Sequence, residues 1–413
     1  MRIAIVEFAG KGGLIHYAFQ LSRALAAAGA EVTLVTSRHY ELDALVHPFR
    51  LEKLLDLWDP KPLASPPRGS ALRRGLRRAG RALRHYRAWC RLVRYLRRER
   101  PDIVQFGDIR FATDLPFLVV LRRLGLRLAD VCHNLDPFAS GRGLPRASRV
   151  SRSFFTRIYR QFDVVFAHFE VNRRAFQEAY GLDPQRVVAI PHGNELLFTE
   201  LADAKRDPDS LRRELGLAPG DRIVLFFGTL SRYKGVDLLL QAFARVRRRH
   251  APARLVLAGF PAPDFDLDDH VSLARSLGIE ADVRFHPHYV ESVAVASWLG
   301  LAAVVALPYR AVFQSGALHV AQAFGVPVVA TRVGAMAEAI AEGESGLLVP
   351  PDDPEAFAEA LLRVLEDLAL GARLGRRAHE EARGRFAWER VAAILLDRYR
   401  LLSGPGRAPE AAG

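Results

Sequence analysis

The chain has 413 residues, half of them hydrophobic and a quarter charged, which predicts a globular protein of two domains. Its two cysteines, Cys90 and Cys132, are too few for a disulfide framework and favour a reducing compartment. Residues 1–7 resemble a buried strand and not a secretion signal, and no apolar stretch approaches the roughly 18 residues that span a bilayer. These features predict a cytoplasmic protein.

The charge is unevenly distributed along the chain. Residues 1–200 carry 33 Lys and Arg against 19 Asp and Glu, whereas residues 201–413 carry 26 against 27. The whole net charge of +13 therefore comes from the first half. Such an asymmetry predicts an anionic partner on that side of the protein.

Short apolar runs alternate with helix-period runs through almost the whole length. This alternation predicts parallel sheets covered on both faces, as in doubly wound α/β domains. The pattern restarts near residue 220, so we place a domain boundary near residues 195–205. The predicted strands, in chain order, are Arg2–Phe8, Glu31–Thr36, Asp102–Phe106, Leu126–Cys132, Asp163–Ala167, Arg186–Ile190, Arg222–Phe227, Arg254–Ala258, Asp282–Phe285, Ala303–Leu307, Val326–Thr331 and Gly346–Val349.

The stretch 68–100 contains 13 Arg and one Glu and predicts an amphipathic helix. Its apolar stripe is predicted at Leu72, Leu76, Ala79, Leu83, Tyr86, Cys90 and Val93. One interpretation is a crossover helix whose stripe packs on the sheet before the next strand. Another is a helix that lies on an anionic membrane surface, and the two are compatible. No nucleic-acid-binding module accompanies the basic run, so nucleic acid is not an expected partner.

The loop 227–235 follows one predicted strand and precedes the helical run 236–249. Gly228 permits a tight turn and close approach of the backbone, while Arg232 and Lys234 add two cations. Amide donors, a helix N-terminus and fixed positive charge are what a diphosphate needs. The alternative is an ordinary loop with two solvated cations.

Two more glycine loops follow strands in the same half. In the first, Gln314, Ser315 and Gly316 open a helix, with Ser315 as its N-cap and amides available for phosphate oxygens. In the second, Gly334 precedes Glu338, which could accept hydrogen bonds from ligand hydroxyls or pair with local amides. Three such loops in one domain predict a nucleotide-diphosphate pocket more specifically than any one alone.

Several segments together resemble the retaining glycosyltransferases of family four, over nearly the entire chain. They are Gly12-Gly13 with the helix that follows, Ile190-Pro191-His192-Gly193-Asn194, Tyr233-Lys234-Gly235-Val236-Asp237, Gly325-Val326-Pro327-Val328-Val329-Ala330 and Phe386-Ala387-Trp388-Glu389-Arg390. The resemblance implies the GT-B fold, two facing Rossmann-like domains with a C-terminal helix that returns to the first domain. The implied ranges are 1–197 for acceptor binding, 198–385 for the nucleotide sugar, 386–404 for the helix and 405–413 for a flexible tail.

The chain departs from the family pattern at two places. Many members carry two glutamates at the positions of Val312 and Val320, where they hold the donor sugar and ribose. This chain is similar to a subgroup with Gln-Ser-Gly at 314–316 instead. The family also places an arginine five residues before the lysine, where this chain has Thr229, so the diphosphate role of Arg232 is an inference.

The first half supplies the candidates on the acceptor side. By resemblance, the amides of Gly12 and Gly13 approach the donor phosphates or the acceptor, although a tight turn would need the same glycines. His133, at a strand end beside Asn134, corresponds to a catalytic-side histidine near the donor sugar. Asp108 is a candidate acceptor contact.

His192 is a candidate substrate contact, or it orients the loop between the domains. The resemblance further implies transfer with retention of configuration, from a UDP- or GDP-sugar, without a cofactor or metal. We expect a lipid-linked or cell-surface polysaccharide precursor as acceptor, at the inner face of the membrane. A GT-B sugar-nucleotide epimerase and a non-catalytic nucleotide-sugar-binding protein are the alternatives.

Overall fold

The computed structural model describes residues 1–55, 71–107, 109, 111–134, 149–202 and 207–403. In the helices that begin at 71 and 149, side chains are described from residues 79 and 152 onward. The described residues form two compact units. The first contains residues 1–134, 149–191 and 388–403, and the second contains residues 192–202 and 207–387. The division after Pro191 lies six residues before the position 197/198 taken from the resemblance.

The first unit is a parallel sheet of seven strands with helices between them. The strand order β3-β2-β1-β4-β5-β6-β7 reverses direction between β1 and β4. Most strand residues are buried because helices cover the sheet, as the apolar runs predict. The elements are β1 (Arg2–Val6), α1 (Gly13–Ala27), β2 (Glu31–Ser37), β3 (Arg50–Leu55), α2 (Ala71–Glu99), β4 (Ile103–Phe106), α3 (Leu115–Arg123), β5 (Leu128–Cys132), α4 (Arg149–Tyr159), β6 (Val164–His168), α5 (Glu170–Tyr180) and β7 (Val187–Ile190).

The second unit is a parallel sheet of six strands in the order β10-β9-β8-β11-β12-β13. Here the order reverses between β8 and β11, so the loops after these two strands border the crevice where doubly wound sheets bind ligands. The elements are α6 (Leu197–Glu200), α7 (Pro208–Glu214), β8 (Arg222–Phe227), α8 (Val236–Arg249), β9 (Ala253–Ala258), α9 (Leu267–Ser276), β10 (Val283–His286), α10 (Val295–Leu301), β11 (Ala302–Leu307), α11 (Gly316–Ala323), β12 (Val328–Thr331), α12 (Met336–Ala339), β13 (Leu347–Val349), α13 (Pro354–Glu366) and α14 (Leu368–Arg383).

The last helix, α15 (Trp388–Ser403), belongs to the first unit and packs on α1. Trp388 is buried, donates its indole N–H to Gln20 Oε1 at 3.1 Å, and packs edge-on against Tyr17. Tyr399, which is fully buried, donates to Gln105 of β4. The first unit therefore contains the beginning of the chain and also α15, which follows the second unit in sequence.

All twelve predicted strands are present, with ends within two residues of the predictions, but the prediction missed β3. This edge strand pairs with β2 and carries Arg50, Glu52 and Lys53. Arg50 pairs with Glu52 at 2.5 Å and Lys53 with Asp43 at 2.5 Å. Charges at the edge of a sheet remain solvated there, so the strand lacks the apolar signature of its buried neighbours.

The predicted apolar stripe of the Arg-rich helix is wrong as a packing face. In α2, Leu83 is 49 % exposed and Tyr86 is 57 % exposed. The side chains of Leu72 and Leu76, which belong to the same predicted stripe, lie outside the described residues. The face that packs inward instead contains His85, Ala88, Trp89, Leu92, Tyr95 and Leu96. A 29-residue helix is about 43 Å long, whereas the four-residue β4 spans about 13 Å. The helix is therefore much longer than the strand that follows it, and its residues 79–84 are all exposed.

Candidate functional site

The loop after β8 and the start of α11 meet at the switch point of the second sheet. Gly228 has φ 119°, a conformation that favours glycine. A methyl group placed on Gly228 would lie 3.3 Å from Lys234 Nζ and 3.8 Å from Ala317 Cβ. The Lys234 ammonium also lies 5.3 Å from the ring centroid of buried Tyr309. The structure thus brings together the glycine backbone, the predicted lysine and the first turn of α11.

Several contacts join the loop that carries Lys234 to the segment after β11. Gly235 has φ 65° and packs so closely on Pro308 that a side chain would overlap the proline carbonyl. Arg310 donates two hydrogen bonds to the Asp237 carboxylate, at 2.7 and 2.8 Å, and a third to Asp352 at 2.7 Å. Fork-shaped pairing of this kind restricts geometry as well as adding charge. Arg310 was missed as a site residue, because its partner Asp237 lies 73 positions away.

The start of α11 has the geometry of an anion-binding helix end. Ser315 Oγ accepts a hydrogen bond from the Leu318 amide at 3.3 Å, which confirms the predicted N-cap. The first-turn amides of a helix have no partners within the helix, and they carry its positive dipole end. A methyl group on Gly316 would meet nothing within 4 Å. This end of α11 therefore offers backbone donors beside open space, and its Ala317 and Lys234 both lie within 4 Å of a methyl group placed on Gly228.

The third predicted loop joins the second through backbone contact. Gly334 has φ 47° and packs against the carbonyl of Val312, where a side chain would overlap. Glu338 lies on the short helix α12 and is half-exposed. Arg232 lies in the same 3₁₀ turn as Lys234, with an exposed residue surface, and its amide donates to Asp264 at 3.3 Å. The structure thus shows Lys234, and not Arg232, against the Gly228 backbone.

His192 is buried in the second unit and stacks on His319 of α11. The two ring centroids lie 4.4 Å apart, and the rings are 9° from parallel. Burial lowers the pKa of His192 to about 4, although hydrogen bonding to the Gly193 carbonyl, 3.1 Å from His192 Nδ1, and to Gln314 opposes the shift. Burial and the neighbouring His192 also lower the pKa of His319. Both rings are therefore neutral near pH 7.

In the first unit, the Gly12-Gly13 loop is bound by a carboxylate that the sequence analysis missed. The Gly12 amide donates to Glu41 Oε1 at 2.6 Å, and the same oxygen lies 2.7 Å from His16 Nε2. Gly12 has φ 86°, and a methyl group on Gly13 would meet nothing within 4 Å. Glu41 thus occupies one amide of a helix end that suits an anionic group.

His133 follows β5 and is buried beside a second histidine, while Asn134 is exposed. His133 Nδ1 lies 3.3 Å from Nε2 of His168, which ends β6. The ring of Tyr17 packs edge-on against both imidazoles, with centroids 4.6 and 5.3 Å away. Asp108 lies outside the described residues.

No group of three or more His, Cys, Asp or Glu side chains in the described part of the chain is arranged to hold a metal ion. No helix in the described ranges combines the length and apolar character needed to cross a bilayer.

The fold defines the class of protein. Sucrose-phosphate synthase from Thermosynechococcus elongatus superposes with a TM-score of 0.70 at 22 % identity, over 97 % of this chain and 98 % of that chain. Anabaena HepE in complex with UDP-glucose superposes with a TM-score of 0.70 at 19 % identity, over 96 % and 100 %. The catalytic domain of starch synthase IV from Arabidopsis thaliana reaches 0.74 at 14 % identity, over 97 % and 99 %. The chain has the GT-B architecture of two Rossmann-like domains.

The sequence matches identify the domains more closely. Residues 11–196 match Glycosyltransferase Family 4, and residues 221–367 match Glycosyl transferases group 1, so the chain contains these two glycosyltransferase domains. D-inositol 3-phosphate glycosyltransferase from Corynebacterium glutamicum is 34 % identical over 242 residues, 57 % of each chain. The Nocardioides sp. relative of the same name is 32 % identical over 297 residues, 67 % of this chain and 63 % of its own. The alignments thus span less than two thirds of these relatives.

Proposed function

We propose that the protein is a retaining glycosyltransferase that transfers a hexosyl group from a UDP- or GDP-sugar to an acceptor hydroxyl. The observation that carries the proposal is the convergence of three features at one switch point. They are the Gly228 backbone, the Lys234 ammonium and the open N-terminal turn of α11. A diphosphate requires this combination of amide donors and fixed positive charge.

The comparisons support the choice of donor. The HepE structures contain UDP or UDP-glucose, and the starch synthase domain contains ADP. Because these chains share the fold at low sequence identity, they support a nucleotide-linked donor without specifying the base. The Gln-Ser-Gly segment at 314–316 replaces the glutamates that hold the sugar in many family members, so we assign sugar contacts to Gln314, Glu338 and His133.

The proposed chemistry is electrostatic. As the bond from the sugar to the diphosphate breaks, negative charge develops on the leaving phosphate. Lys234 and the amides of Gly316 and Ala317 would stabilise that charge in place, without reorganisation of solvent. Arg232 would add long-range positive charge from its exposed position. We propose no metal in this step.

Thermal shift with a panel of UDP-, GDP- and ADP-sugars tests the pocket. We expect one nucleotide class to raise the melting temperature of the full chain and Lys234→Ala to abolish that rise, because the ammonium faces the diphosphate position. Lys53→Ala is the matched control, since Lys53 pairs with Asp43 in the first unit. An equal ligand shift in Lys234→Ala and the wild type would contradict the pocket assignment.

Turnover distinguishes the two alternative functions. An epimerase would convert the sugar nucleotide without any acceptor, and a non-catalytic protein would bind it without consuming it. Incubation with the stabilising sugar nucleotide, with and without D-inositol 3-phosphate or a lipid-linked sugar, separates these results. D-inositol 3-phosphate is included because it appears in the names of the curated relatives.

We further propose that the acceptor is presented at an anionic membrane surface. In α2, the described residues 79–84 are exposed, and Leu83 and Tyr86 add apolar surface between arginines. Arg84 and Arg87 are exposed on the same part of the helix. A helix with exposed apolar and cationic side chains is typical of binding in the lipid headgroup region.

Flotation with vesicles of phosphatidylcholine, with and without phosphatidylglycerol, tests this surface. We expect salt-sensitive binding to the anionic vesicles and its loss in the pair Arg84→Glu and Arg87→Glu. The control pair, Arg248→Glu and Arg376→Glu, makes the same charge change at exposed positions of the second unit. If both double variants bind the anionic vesicles equally, α2 is not the membrane-binding surface.

A further inference from the structure

A buried histidine–aspartate pair lies in the first unit, apart from every residue assigned above. His85 of α2 and Asp114, just before α3, join through Nε2 and Oδ1 at 2.6 Å. His85 is 9 % exposed and Asp114 is 2 % exposed. Such a pair is costly to bury unless its polar atoms are satisfied.

The surroundings of Asp114 determine which nitrogen of His85 carries a proton. Asp114 Oδ1 also accepts a hydrogen bond from the Trp89 indole at 3.0 Å, and Oδ2 accepts one from the Phe111 amide at 3.2 Å. The Trp89 indole nitrogen also lies 3.2 Å from His85 Nε2. Because an ionised carboxylate can only accept, His85 Nε2 donates to Asp114, and the indole N–H donates to Oδ1. In the neutral ring, Nδ1 then presents a lone pair. Among the described residues, nothing donates to that buried atom.

The pair lies near the carboxyl ends of two neighbouring strands, β1 and β4. The His85 ring lies 5.9 Å from the ring of Phe8, two residues after β1, and 5.0 Å from that of Phe111, which follows β4. Strands β1 and β4 are neighbours at the reversal point of the first sheet. Ligands of doubly wound sheets bind at this point, beyond the carboxyl ends of the strands.

We infer that His85 Nδ1 accepts a hydrogen bond from a hydroxyl of a sugar or polyol ring, and that Asp114 is the positioning residue for His85. This inference rests on the proposed function, because it assigns the ring to the acceptor. Phe8 and Phe111, both partly exposed, would contact the apolar face of that ring. Since Nδ1 is covered, the ring reaches it when Phe111, which is 36 % exposed, turns outward.

Nitrogen NMR of the full chain with ¹⁵N-labelled histidine tests the site with defined probes, myo-inositol and methyl α-D-glucopyranoside. Before any probe is added, we expect the spectrum to show His85 protonated at Nε2. A probe should then shift the Nδ1 resonance saturably and leave His47 unaffected. If neither probe shifts His85, or if His47 responds equally, the inference is wrong.

Two variants separate binding from folding. Because each removes or misplaces the acceptor atom, we expect His85→Phe and Asp114→Asn to weaken probe binding about tenfold or more. Asp114→Asn leaves one acceptor oxygen for the three groups that donate to the carboxylate, which are the His85 ring, the Trp89 indole and the Phe111 amide. The controls are His47→Phe and Asp163→Asn, since Asp163 likewise accepts from a side chain, Arg122, and an amide, Leu128. Unchanged probe affinity in His85→Phe would overturn the inference.

The thermal shift with nucleotide sugar distinguishes this result from failure of the proposed function. We expect His85→Phe and Asp114→Asn to retain the donor-induced rise in melting temperature, since the donor loops lie in the second unit. A wild-type chain that binds polyol but gives no donor shift would retain the hydroxyl site and refute the transferase proposal. A rise in melting temperature with nucleotide sugar but no polyol binding would support the donor pocket and refute the hydroxyl site.

Discussion

Two glycines with nearly the same φ test whether contact between loops holds the donor site. Gly235 has φ 65° and Gly216 has φ 64°. A side chain at Gly216 would meet nothing within 4 Å, whereas one at Gly235 would overlap the Pro308 carbonyl. Alanine at either position therefore pays the same conformational cost, about 1–2 kcal/mol for the left-handed region. Any further loss in Gly235→Ala comes from the contact.

The contact adds an overpacking cost of about 1–3 kcal/mol, which we expect only in Gly235→Ala. For a domain of this size, 1 kcal/mol corresponds to about 2–4 °C, so Gly235→Ala should melt about 2–12 °C below Gly216→Ala. Because Gly235 adjoins Lys234, the clash should also displace the ammonium from Gly228. Only Gly235→Ala should then lose the thermal shift with nucleotide sugar.

Differential scanning fluorimetry and urea unfolding of both variants provide the comparison. Equal melting temperatures would show that the Pro308 contact carries no energy. A lower melting temperature with an unchanged nucleotide-sugar shift would show that the contact stabilises the fold without positioning Lys234.

Two further predictions concern the two units separately. Since His192 has a pKa of about 4 in the folded chain and about 6.5 when unfolded, the unfolded state binds more protons between these values. The free energy of unfolding should fall, on the order of 3 kcal/mol, as the pH drops from 6.5 to 4. Urea unfolding of a His192→Phe, His319→Phe variant should lose most of this slope, and a His250→Phe control should retain it. In the first unit, Trp388→Ala should cost about 3–5 kcal/mol by urea unfolding, because the indole is buried between Gln20 and Tyr17. The adjacent exposed Glu389→Ala should cost little, and equal losses would refute the docking of α15.

The sequence predicted the fold well because its signals are local. Buried parallel strands are short apolar runs, and the 236–249 helix has the bounds that its periodicity predicted. The rule that strands are short apolar runs failed for β3, because Arg50, Glu52 and Lys53 interrupt the apolar pattern of this edge strand. Local periodicity also failed for α2, because two apolar stripes share one helix and only packing against the sheet selects the one with Trp89.

The candidate site likewise has features that the sequence predicted and features that only the tertiary structure shows. By itself, the sequence determined the alternation of buried strands with helices, the three glycine loops and the N-cap at Ser315, since each depends on a few neighbouring residues. Only the tertiary structure decided that Lys234 lies against Gly228, that Arg310 holds Asp237, and that His85 meets Asp114 across 29 positions. The reason is physical. The order of strands in a parallel sheet brings distant loops to one edge, and no local pattern in the chain records which loops will meet there.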